Sequence, residues 1–388
     1  MKIVMCSNFM NHHQLPFCRA LLATEGVEFV FVATNPVSEM RKKLGYKELD
    51  REFDWIVRAY DSAEESARAE KLAFEADVVL IGSAPRALIE RRTKAKKLTF
   101  HYSERLMKDK WKFTKFLSRR VLYPLRYNKK NQYLLCASAY AAADYAKLGA
   151  FKGKTYRWGY FPEVKRYENV EGLLAKKEPK SLLWAGRMID WKHAEHAVDV
   201  AKRLRADGYT FRLRMIGGGE LEESLRQKIT EENLNEYVEM LGSVSPDEVR
   251  ANMEKSEIFL FTSDKNEGWG AVLSEGMSSA CAVVASHAIG AAPYLVEDGK
   301  NGFLFESDNV DDLYAMVKQV FDEEGLSARL GAKAYETMVG EWNPENAAKQ
   351  FLALAKCKLE KRAWTKTEGV CAPADILTDD WYGRRKHD

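Results

Sequence analysis

Short apolar runs alternate with longer amphipathic stretches along almost the whole chain. In the first half, Lys2–Cys6, Glu28–Val32, Val78–Ile81, Leu98–His101 and Gln132–Ala137 predict strands. They are apolar and rich in β-branched residues, as strands buried on both faces of a parallel sheet are. Leu15–Thr24 and Glu64–Glu75, between them, carry helical periodicity. A second series begins near Ser181. Its expected strands are Ser181–Ala185, Arg212–Ile216, Val238–Leu241, Ile258–Phe261, Ala282–Ala285 and Gly302–Leu304. Its expected helices are His193–Asp207, Leu221–Glu231, Pro246–Lys255, Ala271–Ser279 and Val310–Glu323. Regular βα alternation predicts an α/β chain with helices on both faces of parallel sheets.

Two such series in 388 residues suit two domains, expected at 1–160 and 181–343, with 161–180 as a hinge. Pro344–Lys361 reads as a strong amphipathic helix, and the segment 344–388 is expected to pack back on the first domain. Residues 365–388 are polar and read as irregular. In doubly wound sheets, ligands bind beyond the carboxyl ends of the strands, so the chemistry is sought there.

Hydrophobic content of 46%, charged content of 30% and a net charge of +3 fit a globular protein and do not by themselves point to nucleic acid. The six cysteines form no C-x-x-C pair or zinc spacing, which suggests thiols in a reducing compartment. The N-terminus reads as a buried strand rather than a signal peptide, and no apolar run approaches the length of a membrane span. The expected location is cytoplasmic, or peripheral on the cytosolic face of a membrane.

Four motifs carry candidate chemistry. Gly186-Arg187-Met188-Ile189-Asp190-Trp191-Lys192 follows a strand and precedes a helix. Two cations beside a helix N-terminus suit a diphosphate, although a surface loop with solvated cations has the same composition. Ser263–Glu275 contains Glu267-Gly268-Trp269-Gly270-Ala271-Val272 and then Glu275. Its glycines allow close approach of backbone N–H groups to a ligand, and its two carboxylates can each accept hydrogen bonds from a diol. Gly217-Gly218-Gly219-Glu220 reads first as a tight strand-to-helix turn, being neither a dinucleotide fingerprint nor a P-loop. Gly290-Ala291-Ala292-Pro293-Tyr294 leads to Asp298-Gly299-Lys300-Asn301-Gly302-Phe303, which is turn chemistry before a short strand.

In this order, the motifs resemble glycosyltransferase family 4, a retaining family of GT-B architecture: two doubly wound Rossmann-like domains facing a central cleft. The resemblance covers most of Ser181–Leu304. It implies that Arg187 and Lys192 bind the diphosphate and stabilise the leaving group, and that Glu267 and Glu275 hold the donor sugar and the ribose. Gly186, Gly218, Gly219, Gly242, Ser243, Gly268, Trp269, Gly270, Ala271 and Val272 would complete the donor site. Tyr294 stands where the family usually has an acid. At the N-terminus, Ser7–Phe17 departs from the family's glycine-rich loop, leaving Asn11, His12 and His13 as acceptor-binding candidates. His101 occupies the place of a family histidine near the reacting sugar; an equally fair alignment puts Ser103 there, with Glu104 facing the cleft.

The resemblance implies a retaining transfer of a hexose-type sugar from a nucleoside-diphosphate sugar, UDP first, to a hydroxyl of a glycan or lipid-linked acceptor. The setting would be cell-surface polysaccharide or glycolipid biosynthesis. No cofactor and no metal are expected, the two cations neutralising the diphosphate. The alternatives are a GT-B-shaped nucleotide-sugar epimerase and a non-catalytic nucleotide-sugar or polysaccharide binder. A nicotinamide-dependent dehydrogenase is disfavoured, because no G-x-G-x-x-G follows either first strand.

Residues 105–130 contain ten Lys/Arg and one acid, Asp109, with aromatic and aliphatic residues interleaved. This composition suggests an anionic membrane surface as a partner. Solvated lysines over core aromatics are the other reading, and no nucleic-acid-binding motif accompanies the charge.

Overall fold

The computed structural model describes residues 1–43, 47–108 and 111–385. They form two compact units, Met1–Glu163 with Asn343–Leu377, and Val164–Trp342 with residues 378–385.

The first unit holds a seven-stranded parallel sheet: β1 (Lys2–Ser7), β2 (Glu28–Ala33), β3 (Ile56–Arg58), β4 (Val78–Ile81), β5 (Thr99–Ser103), β6 (Gln132–Cys136) and β7 (Thr155–Arg157). Its order is β3-β2-β1-β4-β5-β6-β7, so the winding reverses between β1 and β4. Val4, Cys6, Val79 and Ile81 sit in one apolar layer with Ala69 and Ala73 of the helix Ala63–Glu75. Ser62 caps that helix by accepting from the Glu65 N–H at 3.1 Å.

The second unit holds β8 (Glu178–Ala185), β9 (Arg212–Ile216), β10 (Val238–Gly242), β11 (Ser256–Phe261), β12 (Ala282–Ser286) and β13 (Phe303–Phe305). The order β10-β9-β8-β11-β12-β13 places its switch between β8 and β11. Leu183 of β8 lies opposite Phe259 of β11, and Trp184 opposite Leu260, so their following loops emerge side by side. Both faces of this sheet are covered, which is why its strands lack alternation.

Pro344–Leu359 returns to the first unit, where Phe351 packs against Phe100 and Trp158 at centroid distances of 5.3 and 5.9 Å. The expectation that all of 344–388 packs there needs correction. Residues 378–385 belong to the second unit, where the Tyr382 hydroxyl donates to the Leu304 carbonyl at 2.6 Å. The expected hinge 161–180 likewise contains ordered structure of the second unit. Val170–Leu174 is a helix capped by Asn169, and β8 already begins at Glu178.

Candidate functional site

In the second unit, the loop after β8 and the loop after β11 meet at the switch point. Lys192 closes the first, Glu267 lies in the second, and their side chains form an ion pair. The Ser263 hydroxyl also donates to the Glu267 carboxylate at 3.1 Å. Backbone ties align the loops: the Asp264 N–H donates to the Trp191 carbonyl at 3.1 Å, and the Thr262 hydroxyl to the Lys192 carbonyl at 2.7 Å. Thr262 in turn accepts from the Trp184 indole at 2.9 Å. Arg187 is exposed, with its guanidinium 5.8 Å from the Trp191 ring centroid, and the Lys192 ammonium is 4.6 Å from the same centroid. One aromatic ring thus carries both cations of the loop.

The glycine run after β9 has a packing reason. A Cβ on Gly217 would lie 1.8 Å from the Gly186 carbonyl oxygen, and one on Gly219 would lie 2.4 Å from that of Met188. The Met188 N–H donates to the Gly218 carbonyl at 2.9 Å, and the Gly217 N–H to the Gly242 carbonyl at 2.8 Å. The segments that carry Gly186, Gly218 and Gly242 are therefore tied backbone to backbone, and Ser243 adjoins Gly218. The tight-turn reading of this run is the one the packing explains.

Gly270, at φ +89°, precedes the helix Ala271–Ser278, and a Cβ there would lie 2.6 Å from the Phe261 ring. Only glycine fits both that backbone and that space. The first N–H groups of this helix, Ala271 and Val272 among them, have no acceptor within the helix itself. Trp269 is buried beside Trp342, and Tyr294 stacks on Trp342 at 5.8 Å. Tyr294, read from the sequence as standing where the resembled family usually has an acid, completes an aromatic cluster. Glu275 lies in the second turn; burial raises its carboxyl pKa, and Arg250 opposes the rise.

His193, next to Lys192, adopts a left-handed conformation at φ +49°. Its Nδ1 lies 3.0 Å from Glu195, and its Nε2 lies 3.2 Å from Asp308 and 3.7 Å from Asp264. These carboxylates, Asp264 foremost, raise its pKa to about 10. Among the described residues, His193, Glu195 and His196 are a group that could hold a metal ion, with ligand atoms within 4.8 Å of one another. A protonated His193, however, donates from both nitrogens and offers no lone pair.

In the first unit, the loops after β1, β4 and β5 surround a cavity of about 520 Å³. Tyr102 organises its floor: its hydroxyl accepts from the Gln14 amide at 2.6 Å and donates to Ser7 at 3.0 Å. Gly82 leaves room for that ring, since a Cβ would sit 2.2 Å from it. Glu104 accepts from the Tyr160 hydroxyl at 2.8 Å and pairs with Lys108 at 3.0 Å. His101 bonds Gln132 at 2.8 Å, and burial lowers its pKa to about 4. His101, Ser103 and Glu104 all line the cavity, so neither alignment of this segment is singled out.

Asn11 and His13 line it too, whereas His12 does not and is exposed. The Asn11 side chain accepts from the N–H groups of His13 and Gln14 at 3.0 and 3.1 Å, so it shapes the loop. Burial lowers the His13 pKa to about 3, with His12 adding to the effect, and its buried Nδ1 has no hydrogen-bond partner among the described residues. Gln14, Arg86, Tyr102 and Tyr160 were not anticipated from sequence; the signal that could have found them is position at the carboxyl end of a strand.

In the basic stretch, Phe113–Tyr127 is one helix; Asp109 lies outside the described residues. Among the described residues, no helix is long and apolar enough to cross a membrane.

Residues 165–337 match the family model described as glycosyl transferases group 1. The putative colanic acid biosynthesis glycosyltransferase WcaL of Salmonella typhimurium is 28% identical over 183 residues, 45% of each chain. The N-acetylgalactosamine-N,N'-diacetylbacillosaminyl-diphospho-undecaprenol 4-alpha-N-acetylgalactosaminyltransferase of Campylobacter jejuni is 31% identical over 163 residues, 40% of this chain and 43% of the relative. Both matches span less than half of the relative's length. The crystal structure of Anabaena HepE in complex with UDP aligns over 92% of this chain and 100% of its own, with a TM-score of 0.67 and 16% identity. The architecture is GT-B, and the match to the glycosyl transferases group 1 model falls within the second unit.

Proposed function

We propose that this chain, a GT-B protein with a group 1 glycosyl transferase domain, moves a hexose-type sugar from a UDP-sugar to a hydroxyl of a glycan or lipid-linked acceptor. The observation that carries the reading is the Lys192–Glu267 pair at the switch point, with Arg187 in the same loop. Neutralising a departing diphosphate needs cations, and orienting a sugar needs a hydrogen-bond acceptor. UDP as the donor nucleotide is supported by the UDP complex of HepE. A lipid-linked glycan acceptor in surface polysaccharide or glycolipid biosynthesis is supported by the two bacterial relatives.

In this reading, Arg187 and Lys192 hold the diphosphate, Glu267 accepts from sugar hydroxyls, and Glu275 accepts from the ribose diol. N–H groups of Gly268–Val272 complete the contacts. The bond from the anomeric carbon to the diphosphate oxygen breaks as the bond to the acceptor oxygen forms. The acceptor proton passes to the departing diphosphate, and the configuration is retained. The two cations balance the leaving charge, so no metal is needed. The cavity of the first unit binds the acceptor, with Glu104 and His13 offering hydrogen bonds to its hydroxyls.

Incubation with labelled UDP-sugars and a bacterial lipid extract tests the reading. Label transferred to a glycolipid, undiminished by EDTA and lowered on the order of 10²-fold in Arg187→Ala, is the expected result. Donor isomerised without an acceptor, or no turnover of any nucleotide sugar, would overturn it.

A further inference from the structure

The helix Phe113–Tyr127 has two apolar faces. One, with Phe116, Tyr123 and Tyr127, packs on the apolar layer that includes Tyr145 and Phe151. The other is bare: Phe113, Leu117, Val121 and Leu125 are 76%, 50%, 63% and 68% exposed. Their spacing of four residues drifts only about 40° per step around a helix, so they form one continuous stripe. Leu122 widens it, and this helix supplies five of the seven exposed large apolar side chains found among the described residues.

Cations flank the stripe, with Arg120 on one side and Lys115 and Arg126 on the other. From Trp111 to Lys130 there are seven Lys/Arg and no acid. A second copy of this face would meet like charge, and a nucleic acid would leave the stripe in water. An anionic bilayer satisfies both halves, taking the apolar side chains below the headgroups and the cations at their level.

We infer that this helix docks the first unit on an anionic membrane surface, with Phe113, Leu117, Val121 and Leu125 inserted. Its last residue, Tyr127, lines the 520 Å³ cavity, with the Arg86 guanidinium 5.5 Å from its ring centroid. One helix therefore touches both the lipid and the cavity. That link to a lipid-linked acceptor rests on the proposed transferase reading; the membrane contact does not.

Co-sedimentation of the full chain with phosphatidylcholine vesicles, with and without phosphatidylglycerol, tests the inference. The chain should partition to the anionic vesicles, and far less to the neutral ones. Leu117→Asp with Val121→Asp should abolish binding while leaving the melting temperature unchanged, both sites being exposed. Lys112→Gln, Lys115→Gln and Arg120→Gln should each weaken binding by roughly fivefold. No binding by the unaltered chain, equal binding by the Asp variant, or a dimer that the Asp variant splits would overturn it. The assay contains no nucleotide sugar, so its failure leaves the transferase reading standing. Conversely, a chain that binds vesicles but no UDP would fail that reading alone.

Discussion

Lys192 and Glu267, seventy-five positions apart, form an ion pair in which each side chain keeps only 12% of its surface exposed. Adjacent strands β8 and β11 bring them together, and the Trp191–Asp264 backbone bond fixes their loops. Removing one partner leaves the other charge poorly solvated. Lys192→Ala should cost about 3 kcal/mol of stability and also lower turnover. Denaturant unfolding of Lys192→Ala, Glu267→Gln and the double variant should reveal strong coupling between the two positions.

Arg187 separates stability from chemistry. It is exposed, and among the described residues its guanidinium lies over the Trp191 ring, so Arg187→Ala should change stability by less than about 0.5 kcal/mol. Its kcat/KM for a nucleotide sugar should fall on the order of 10²-fold. Melting temperature and initial rates on the same sample check both halves.

Gly217→Ala should be far more harmful than Gly208→Ala, although both positions have positive φ. At Gly208 nothing lies within 4 Å of the new Cβ, so the cost is the backbone's, about 1 kcal/mol. At Gly217 the Cβ falls on the Gly186 carbonyl and must part the loops after β8 and β9. A loss of about 3 kcal/mol is expected there, with weaker nucleotide binding, measurable by urea titration and calorimetry.

This glycine contrast marks what could be read from the sequence. The strand starts Lys2, Glu28, Val78, Gln132, Arg212, Val238 and Ala282 were legible, because buried parallel strands are continuous apolar runs. β3 and β7 were not; three residues each are too few for a period to show. The helix Leu326–Gly340 was also unread, starting after a left-handed Gly325 with no polar cap and containing Gly331. Arg187, Lys192, Glu267 and Glu275 were legible as a local spacing, but the pairing of Lys192 with Glu267 was not, since strand order creates it. The cavity of the first unit draws on loops after three strands; position past a strand's carboxyl end points to its lining, but the bond between Gln14 and Tyr102 joins residues far apart in sequence and shows only in the fold.

Histidine titration should give stability slopes of opposite sign at two sites. His193 is held near 10 in the folded chain by Asp264, Glu195 and Asp308, against about 6.5 when unfolded. Its contribution is complete below pH 6.5 and is lost as pH rises toward 10. His101 is depressed by burial to about 4, so its contribution is present above pH 6.5 and lost as pH falls toward 4. His193→Gln should flatten the alkaline slope and His101→Gln the acid one, in unfolding free energies measured across pH.

Nucleotide binding to the second unit is the central claim, and thermal unfolding against UDP, GDP, ADP and NAD tests it most directly. UDP at a hundred times its Kd should stabilise the chain by roughly 2.7 kcal/mol, and Arg187→Ala and Glu275→Ala should remove the shift at that concentration. A shift with NAD alone, or none with any nucleoside diphosphate, would contradict the account.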